Sequence, residues 1–313
     1  METNYAVIDI GSLKTKLLIA NIKRNNNIQI IKKDSKLTLM GDGLSKKSHR
    51  IKAKSFKDTV MAIKEYLRIC DKNKVKKIKL VATESLRKAS NLRKILEKFE
   101  KEISLKPLII TQEEEAKVFY KAVMKDFKSN QEVAISDMGG GSVQVLIGNK
   151  SKLKSIKYLP LGTYLLNTKM VKDNREDGKA TDYELHKIRK FIKETILKSD
   201  IPKSINIPLI YGSSNILDLF KFLKLKVSES DLSFSHPYQS KPYELLKYLS
   251  KIKNMTHIQR EKAYPFQWGF MWGIQISFYN AYYLAKHLET KTIIPSNVNI
   301  AEGYILEMAK TDY

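Results

Sequence analysis

The chain has 313 residues and is 42% hydrophobic, so it is long enough for two domains and too apolar for wholesale disorder. Its 57 Lys and Arg against 33 Asp and Glu give a formal net charge of +24, which favours anionic partners such as nucleic acid, polyphosphate, anionic lipid or a nucleotide. The single cysteine, Cys70, excludes an internal disulfide and a cysteine-rich metal site. The five histidines lie far apart, which argues against a zinc hydrolase.

Most of the basic residues in excess are lysines, and biased codon usage alone would also produce such an excess. The N-terminus runs almost directly into a strand and shows no signal-peptide pattern. The longest apolar-rich stretch, residues 270–285, is too short and too polar to span a bilayer. We therefore expect a soluble cytoplasmic protein that does not enter a membrane.

The first half of the chain begins with short strands and continues with alternating helices and strands. Strands are predicted at Tyr5–Ile10, Lys16–Ile22 and Ile28–Ile31, and the tight turns between them indicate an antiparallel meander. Apolar spacing and turn residues then predict a helix over residues 55–70, a strand over 77–83, a helix over 91–99 capped by Asn91, a strand over 107–111 and a helix over 113–124.

A pattern of strand, aspartate, glycine turn and strand occurs twice. The first copy is Asp9-Ile10-Gly11-Ser12, and the second is Asp137-Met138-Gly139-Gly140-Gly141-Ser142, between predicted strands over 133–137 and 143–147. A repeat of this size indicates two related domains that face a shared cleft. We assign residues 1–120 to the first and 121–313 to the second, and leave open whether the last helix packs back on the first.

The second half contains a third turn of the same kind. A helix over 181–198 opens with the capping-box spacing of Thr181 and Glu184. A strand over 209–211 meets the turn Gly212-Ser213-Ser214-Asn215. Further helices are predicted over 240–252, 265–288 and 300–310, with an edge-like segment over 292–295.

Glycine turns after strands are suited to phosphate binding. Glycine permits close backbone approach, and successive N–H groups form a concave anion site. The carboxylate of Asp137 at the strand end is well placed to hold Mg²⁺ beside a phosphate. No Gly-Lys-Ser/Thr follows, which excludes a Walker loop, and a strand follows the glycines where a dinucleotide fingerprint has a helix.

Two charged features have both a structural and a functional interpretation. Glu113, Glu114 and Glu115 open a predicted helix, where carboxylates also simply match the helix dipole. Arg87 lies between a strand and a helix, and it either binds two phosphate oxygens or is an ordinary surface residue. The residues alone leave these alternatives open.

Motifs along the whole chain resemble those of the exopolyphosphatase/guanosine pentaphosphate phosphohydrolase (Ppx/GppA) family, in its short form. They are Val7–Ser12, Leu39–Leu44, Ala82–Asn91, Glu114–Ala116, Asp137–Ser142, Leu159–Gly162, Gly212–Asn215 and a degenerate Ala301–Gly303. The resemblance implies an α/β fold of two ribonuclease H-like domains, as in the actin-like ATPase superfamily, with mixed sheets around a central cleft.

The resemblance implies metal-assisted hydrolysis at the end of a phosphate chain. Glu115 matches the catalytic base, Arg87 the clamp on the terminal phosphate, and Asp137 the residue that positions Mg²⁺ or the attacking water. Asp9 is a further expected Mg²⁺ ligand. The expected phosphate-binding residues are Gly11, Ser12, Lys14, Gly139, Gly140, Gly141, Ser142, Gln144, Gly212 and Ser213. A monovalent cation beside Mg²⁺ and a homodimer remain open.

The chain departs from the family pattern at three places. The first turn reads Gly11-Ser12-Leu13-Lys14 where the family has Gly-Ser-Asn-Ser, and Lys14 either contacts a phosphate or points into solvent. Gln144 replaces a glutamate, which keeps the shape but loses the charge. The segment Asn299–Gly303 lacks an arginine of the family motif. These changes suggest altered efficiency or substrate and also allow a phosphate-binding protein with weak catalysis.

The leading functional hypothesis is an exopolyphosphatase that releases orthophosphate from inorganic polyphosphate. One alternative is a guanosine pentaphosphate 5′-phosphohydrolase, and another is a weakly catalytic or non-catalytic regulator that binds polyphosphate or a nucleotide. A nucleic-acid partner is disfavoured because the sequence shows no known binding module. A sugar kinase or other ATPase of the superfamily is disfavoured because no clear adenosine motif is present.

Overall fold

A computed structural model describes residues 3–23, 27–44, 49–175, 177–212, 215–266 and 269–311. The chain divides into two compact units, Met1–Ala122 with Asn299–Tyr313, and Val123–Val298. The segment after residue 298 thus belongs to the first unit. Whether the last helix packs on the first domain was the question that the sequence left open.

Strands and helices alternate along both units. The strands are β1 (Asn4–Ile10), β2 (Lys14–Ile22), β3 (Ile28–Leu37), β4 (Val75–Ala82), β5 (Leu108–Ile109), β6 (Val133–Met138), β7 (Val143–Gly148), β8 (Leu153–Leu159), β9 (Leu209–Gly212), β10 (Ser228–Ser233), β11 (His236–Gln239) and β12 (Ile293–Pro295). The helices are α1 (Ala53–Lys72), α2 (Glu84–Arg87), α3 (Leu92–Ile103), α4 (Gln112–Met124), α5 (Thr163–Met170), α6 (Asp182–Leu197), α7 (Ile216–Phe222), α8 (Tyr243–Ile252), α9 (His257–Ala263), α10 (Ile274–Leu288) and α11 (Ile300–Lys310).

The sheet of the first unit has the order β3-β2-β1-β4-β5, with β1, β2 and β3 antiparallel and β4 parallel to β1. The predicted meander is therefore confirmed. On β1, Ala6 and Ile8 belong to the core formed with α1 and α3, whereas Tyr5 and Val7 pack with α11. Because side chains alternate along a strand, Asp9 lies on the α11 face.

The sheet of the second unit repeats this topology in the order β8-β7-β6-β9-β12, with β6, β7 and β8 antiparallel and β9 parallel to β6. The predicted repeat of strand, aspartate, turn and strand is confirmed, and it extends to the strand order of the whole sheet. Ala134 and Met138 pack into the core with α6, α8 and α10. The alternation along β6 therefore places Asp137 on the opposite face of this sheet.

Two helix predictions differ from the structure. Asn91 occupies the N-cap position of α3 but makes no capping bond. Its side chain instead accepts from the Ile51 N–H at 3.0 Å and donates to the Ile51 carbonyl at 3.2 Å, so it joins two distant segments. The helix predicted from Pro265 begins only at Ile274, because Gly269 has φ +75° and interrupts the helical backbone.

The capping box at Thr181 is confirmed, since Thr181 and Glu184 exchange both bonds. Strand β8, helix α5 and the β10–β11 hairpin were not predicted, because polar residues interrupt their apolar patterns. Among the described residues, no helix has the length and hydrophobicity that a membrane crossing requires.

Burial keeps the imidazoles of His236 and His257 neutral in the second unit. His236 shares hydrogen bonds with the hydroxyls of Ser233 at 2.8 Å and Ser296 at 2.9 Å. Burial lowers the pKa of His236 to about 4, although the Asp126 carboxylate opposes this shift. Burial, assisted by the neighbouring Arg260 cation, also lowers the pKa of His257 to about 4.

Acid is therefore expected to destabilise the second unit. Unfolded histidine has a pKa of about 6.5, so between pH 6.5 and 4 the unfolded chain takes up protons that the folded chain excludes. This contribution to the free energy of unfolding is fully present above the window. It decreases by up to roughly 1.4 kcal/mol per pH unit for each histidine as the pH is lowered through the window. Urea unfolding from pH 7 to 4.5 measures the slope.

The His236→Gln variant should show a shallower pH dependence of the unfolding free energy than the wild type. Substitution of the exposed His186 by Gln is the matched control and should leave the slope unchanged. Equal slopes in the wild type and the His236→Gln variant would contradict this account.

Candidate functional site

The glycine turn of the second unit joins β6 to β7. The Gly139 N–H donates to the Ser142 carbonyl at 3.0 Å, and Gly139, Gly140, Gly141 and Ser142 are half-buried. A Cβ added at Gly139 would lie 3.0 Å from the Ser142 carbonyl oxygen. A larger residue would therefore press on the bond that closes the turn.

The turn of the first unit has the same geometry. The Gly11 N–H donates to the Lys14 carbonyl at 3.0 Å, and a Cβ at Gly11 would again lie 3.0 Å from that oxygen. Lys14 therefore occupies the position that Ser142 has in the second turn. It is only 7% exposed, so the alternative in which it points into solvent is wrong.

The two turn aspartates have different cross-strand neighbours. Asp9 lies directly opposite Lys16, whereas Asp137 lies directly opposite Gln144. Directly opposed residues share one face of a sheet with their Cβ atoms about 5 Å apart. A lysine beside Asp9 opposes a bound cation, whereas a neutral amide beside Asp137 does not, so Asp137 is better suited to Mg²⁺.

Gln144 is 3% exposed, and its Oε1 is buried without a hydrogen-bond partner in the part of the chain that the structure describes. A buried amide oxygen without a partner is costly, which is consistent with a ligand contact at this position. Gly212 lies on the other side of Asp137, opposite it across the parallel pair of β6 and β9. Ser213 lies outside the described residues.

Three consecutive glutamates at the start of α4 have three different environments. Glu113 is exposed and pairs with Lys117 at 2.5 Å. Glu114 accepts from the Thr111 N–H at 2.7 Å, and its own N–H donates to the Thr111 hydroxyl at 3.1 Å. The hydrogen bonds that the Glu114 carboxylate accepts from Thr111 lower the pKa of Glu114. Glu113 and Glu114 therefore have the structural role that the sequence left open.

Glu115 instead pairs with Arg87. One guanidinium nitrogen, Nη1 of Arg87, donates to Glu115 Oε2 at 3.0 Å and to the Ile110 carbonyl at 2.7 Å. The two side chains are only 20% and 14% exposed, so the surface interpretation of Arg87 is wrong. Arg87 reaches this position because α2 directly follows β4, and Glu115 because α4 follows β5.

Tyr304, on α11, lies beside the carboxylates of the first unit and was not predicted as a site residue. It is 3% exposed, and the Lys79 ammonium lies 4.4 Å from the centre of its ring. Burial raises the pKa of Tyr304, and the carboxylates of Glu307, Glu114, Glu115 and Asp9 add to the shift in decreasing order. No local motif marks this tyrosine.

The structure therefore brings predicted residues together within each unit. In the first unit Glu115 pairs with Arg87. In the second unit Asp137 lies between Gln144 and Gly212 at the glycine turn. The described residues contain no group of three acidic, histidine or cysteine side chains that would bind a metal through protein ligands alone.

Two curated proteins are similar to parts of this chain. The chain is 27% identical over 215 residues to the bifunctional 3-dehydroquinate synthase/phosphatase of Fusobacterium nucleatum, covering 66% of this chain and 32% of that protein. It is 28% identical over 165 residues to the guanosine-5′-triphosphate,3′-diphosphate pyrophosphatase of Aliivibrio fischeri, covering 52% of this chain and 32% of that protein. The chain thus spans about a third of the length of these curated relatives.

A solved structure matches over the full length. The crystal structure of the Aquifex aeolicus member of the Ppx/GppA family is 25% identical with a TM-score of 0.76, and the match covers 100% of this chain and 99% of that one. The family model described as the Ppx/GppA phosphatase family matches residues 18–312. The chain belongs to the Ppx/GppA phosphatase family.

Proposed function

We propose that the protein hydrolyses the terminal phosphoanhydride bond of a phosphate chain, with inorganic polyphosphate as the leading substrate. The observation that carries this proposal is the pairing of Glu115 with Arg87, which sets one carboxylate apart from its two neighbours on α4. A carboxylate that neither caps its helix nor faces open solvent is available as a general base. An adjacent guanidinium is suited to phosphate oxygens.

In the proposed reaction, Glu115 accepts a proton from water as the water oxygen forms a bond to the terminal phosphorus. The bond between that phosphorus and the bridging oxygen breaks, and the electron pair leaves with the shortened chain. Arg87 holds oxygens of the terminal phosphate, and a glycine turn binds phosphate oxygens through its backbone N–H groups. Phosphoryl transfer depends mainly on such positioning and charge neutralisation.

Mg²⁺ fits the donor set at Asp137. This ion is usually bound by one or two carboxylates together with water and substrate phosphates. Asp137, beside the buried Gln144 amide oxygen and the Gly212 backbone, offers such a partial set of oxygen ligands. When bound, the ion would neutralise charge on the phosphate oxygens.

Two substrates are supported by different observations. The surplus of 57 Lys and Arg over 33 Asp and Glu favours a long polyanion. The similarity to the guanosine-5′-triphosphate,3′-diphosphate pyrophosphatase of A. fischeri supports guanosine pentaphosphate as the alternative. We therefore expect orthophosphate release to be faster from long-chain polyphosphate than from guanosine pentaphosphate, ATP or para-nitrophenyl phosphate, at equal phosphate concentration with Mg²⁺.

The same assay separates the classes of function. Faster release from guanosine pentaphosphate would support the nucleotide alternative. Binding of polyphosphate without release from any of the four compounds would instead support a regulator, and it would overturn the hydrolase proposal.

Restoring a carboxylate opposite Asp137 is expected to strengthen Mg²⁺ binding. In the Gln144→Glu variant two carboxylates face each other across β6 and β7, which raises the affinity for a divalent cation. We expect a lower half-saturating Mg²⁺ concentration for phosphate release. We also expect lower thermal stability in EDTA, because like charges directly opposite each other destabilise a sheet.

The exposed Gln131 provides the control, since Gln131→Glu adds the same charge in a loop. Its Mg²⁺ dependence should match the wild type. If the Gln144→Glu variant also matches the wild type in Mg²⁺ dependence and in EDTA stability, Asp137 is not the Mg²⁺ ligand.

A further inference from the structure

Helix α5 is bonded to the carbonyl side of the glycine turn in the second unit. The Thr163 N–H donates to the Gly139 carbonyl at 3.1 Å, and the Leu165 N–H donates to the Gly140 carbonyl at 3.0 Å. These donors belong to the first turn of a helix, where backbone N–H groups have no partner within the helix. The helix start therefore binds two successive peptide groups of the turn.

These two bonds determine which way the amides of the turn point. A trans peptide is planar, so its C=O and its N–H point in opposite directions. With the Gly139 carbonyl bonded to Thr163, the N–H of Gly140 points away from α5. The Gly140 carbonyl bonded to Leu165 likewise turns the Gly141 N–H away from the helix. Both amides thus present themselves on the side opposite α5.

Gly162 allows the helix to come this close. A Cβ at Gly162 would lie 2.1 Å from the Gly141 carbonyl carbon and 2.4 Å from the Gly140 carbonyl oxygen, which no side chain tolerates. The segment before it is held in place by Asn280, whose Nδ2 donates to the Leu161 carbonyl at 2.7 Å. Asn280 is 1% exposed on α10, so this anchor is part of the core.

The first unit contains a similar contact at its own turn, shifted by one residue along the turn. The Gly41 N–H donates to the Ser12 carbonyl at 2.7 Å, and the N–H groups of Thr38 and Leu39 donate to the Leu13 carbonyl at 3.1 and 3.0 Å. A Cβ at Gly41 would lie 2.9 Å from the Ser12 Cβ. In both units, the segment after the third strand of the meander thus binds the carbonyls of the glycine turn.

We propose that Gly162 and the backbone N–H of Thr163 are positioning residues for phosphate, acting through the orientation of the Gly140 and Gly141 amides. Gly41 has the same role at the first turn. The inference rests on the proposed function in one respect, the assignment of these turns to phosphate.

The amide of Thr163 can be removed without adding bulk at Gly162. Thr163 is the first residue of α5, where proline is tolerated, and Gly162 has φ −57° and ψ 141°, the region that a residue before proline prefers. Thr163→Pro therefore deletes the bond to the Gly139 carbonyl, and the proline Cδ, which replaces the amide hydrogen, also pushes that carbonyl out of its position. Thr163→Ala is the matched control, because it removes the side chain and keeps the N–H.

Calorimetric binding of imidodiphosphate with Mg²⁺ tests the inference, because its P–N–P bridge resists hydrolysis. We expect the Thr163→Ala variant to bind within about twofold of the wild type, and the Thr163→Pro variant to bind about tenfold more weakly, as for a lost charge-assisted hydrogen bond. The melting temperature of each variant is measured alongside. Asn280→Ala, which releases the Leu161 carbonyl, serves as the second variant if Thr163→Pro does not fold, and it should also weaken binding.

Equal binding by a folded Thr163→Pro variant and the wild type would overturn the inference while leaving the hydrolase proposal intact. If Asn280→Ala is the variant that folds, equal binding by it would do the same. Weaker binding in a protein that hydrolyses nothing would support the inference and overturn the hydrolase proposal. A wild type that does not bind imidodiphosphate at all would overturn both, because the turn would then have no phosphate to position.

Discussion

Replacing Glu115 by Gln is expected to reduce orthophosphate release by about 10²- to 10⁴-fold, the usual contribution of a general base. The amide keeps the shape of the side chain and its place beside Arg87 but does not accept a proton from water. The change therefore acts on kcat, and the affinity for polyphosphate should stay within a few-fold of the wild type. Phosphate release under saturating substrate and binding of imidodiphosphate measure these two quantities separately.

The neighbouring glutamates provide internal controls for this experiment. Glu113→Gln changes the same residue type two positions earlier, where the carboxylate is exposed and pairs only with Lys117 in the described contacts. Its activity should equal that of the wild type. Glu114→Gln should lower thermal stability through the helix cap at Thr111 with little effect on kcat. Activity that survives in the Glu115→Gln variant, or is lost equally in the Glu113→Gln variant, would show that Glu115 is not the base.

Replacing Arg87 by Lys is expected to reduce kcat/KM by about 10²-fold, the cost of removing a positioned donor. The lysine keeps the positive charge but has no planar fork, so it cannot hold the Ile110 carbonyl, the Glu115 carboxylate and a phosphate in one geometry. Part of the loss should appear in KM, because Arg87 contacts the substrate before the reaction. Steady-state kinetics with polyphosphates of defined length measure both parameters.

Arg93 provides the matched control, because it also pairs with a glutamate but is exposed on α3. Arg93→Lys should leave kcat and KM unchanged, since exposed pairs of this kind contribute little. If Arg87 acted only through its positive charge, the Arg87→Lys variant would be as active as the Arg93→Lys variant. That result would contradict the assignment of Arg87 as a phosphate clamp.

The parts of the fold that depend on neighbouring residues were predictable from the sequence. The meander of β1 to β3 and the β6–β7 hairpin of its repeat follow from short apolar runs separated by tight turns. The capping box at Thr181 follows from residues three positions apart. The glycine turns themselves are local, so their place between two strands could be deduced directly.

The parts that depend on distant residues were not predictable in the same way. The family resemblance singled out Glu115, but the chemistry of the residues alone could not distinguish it from Glu113 and Glu114, because the difference lies in Arg87, 28 residues earlier in the chain. Asn91 was assigned a local cap, but its partner is the Ile51 backbone.

The surroundings of Tyr304 and Gly162 also depend on contacts across the fold. Tyr304 reaches the first-unit carboxylates only because the C-terminal helix belongs to that unit. Gly162 was part of a family motif, but its reason for being glycine is visible only in its contact with Gly140 and Gly141.

The most direct test of the central claim is hydrolysis of long-chain polyphosphate labelled at its terminal phosphates, with Mg²⁺ and a large excess of substrate. We expect labelled orthophosphate to appear first and the remaining chains to shorten from their ends. We expect the Glu115→Gln variant to release none on the same time scale. Release of internal fragments before labelled orthophosphate, or no release by the wild type at high enzyme concentration, would contradict the central claim.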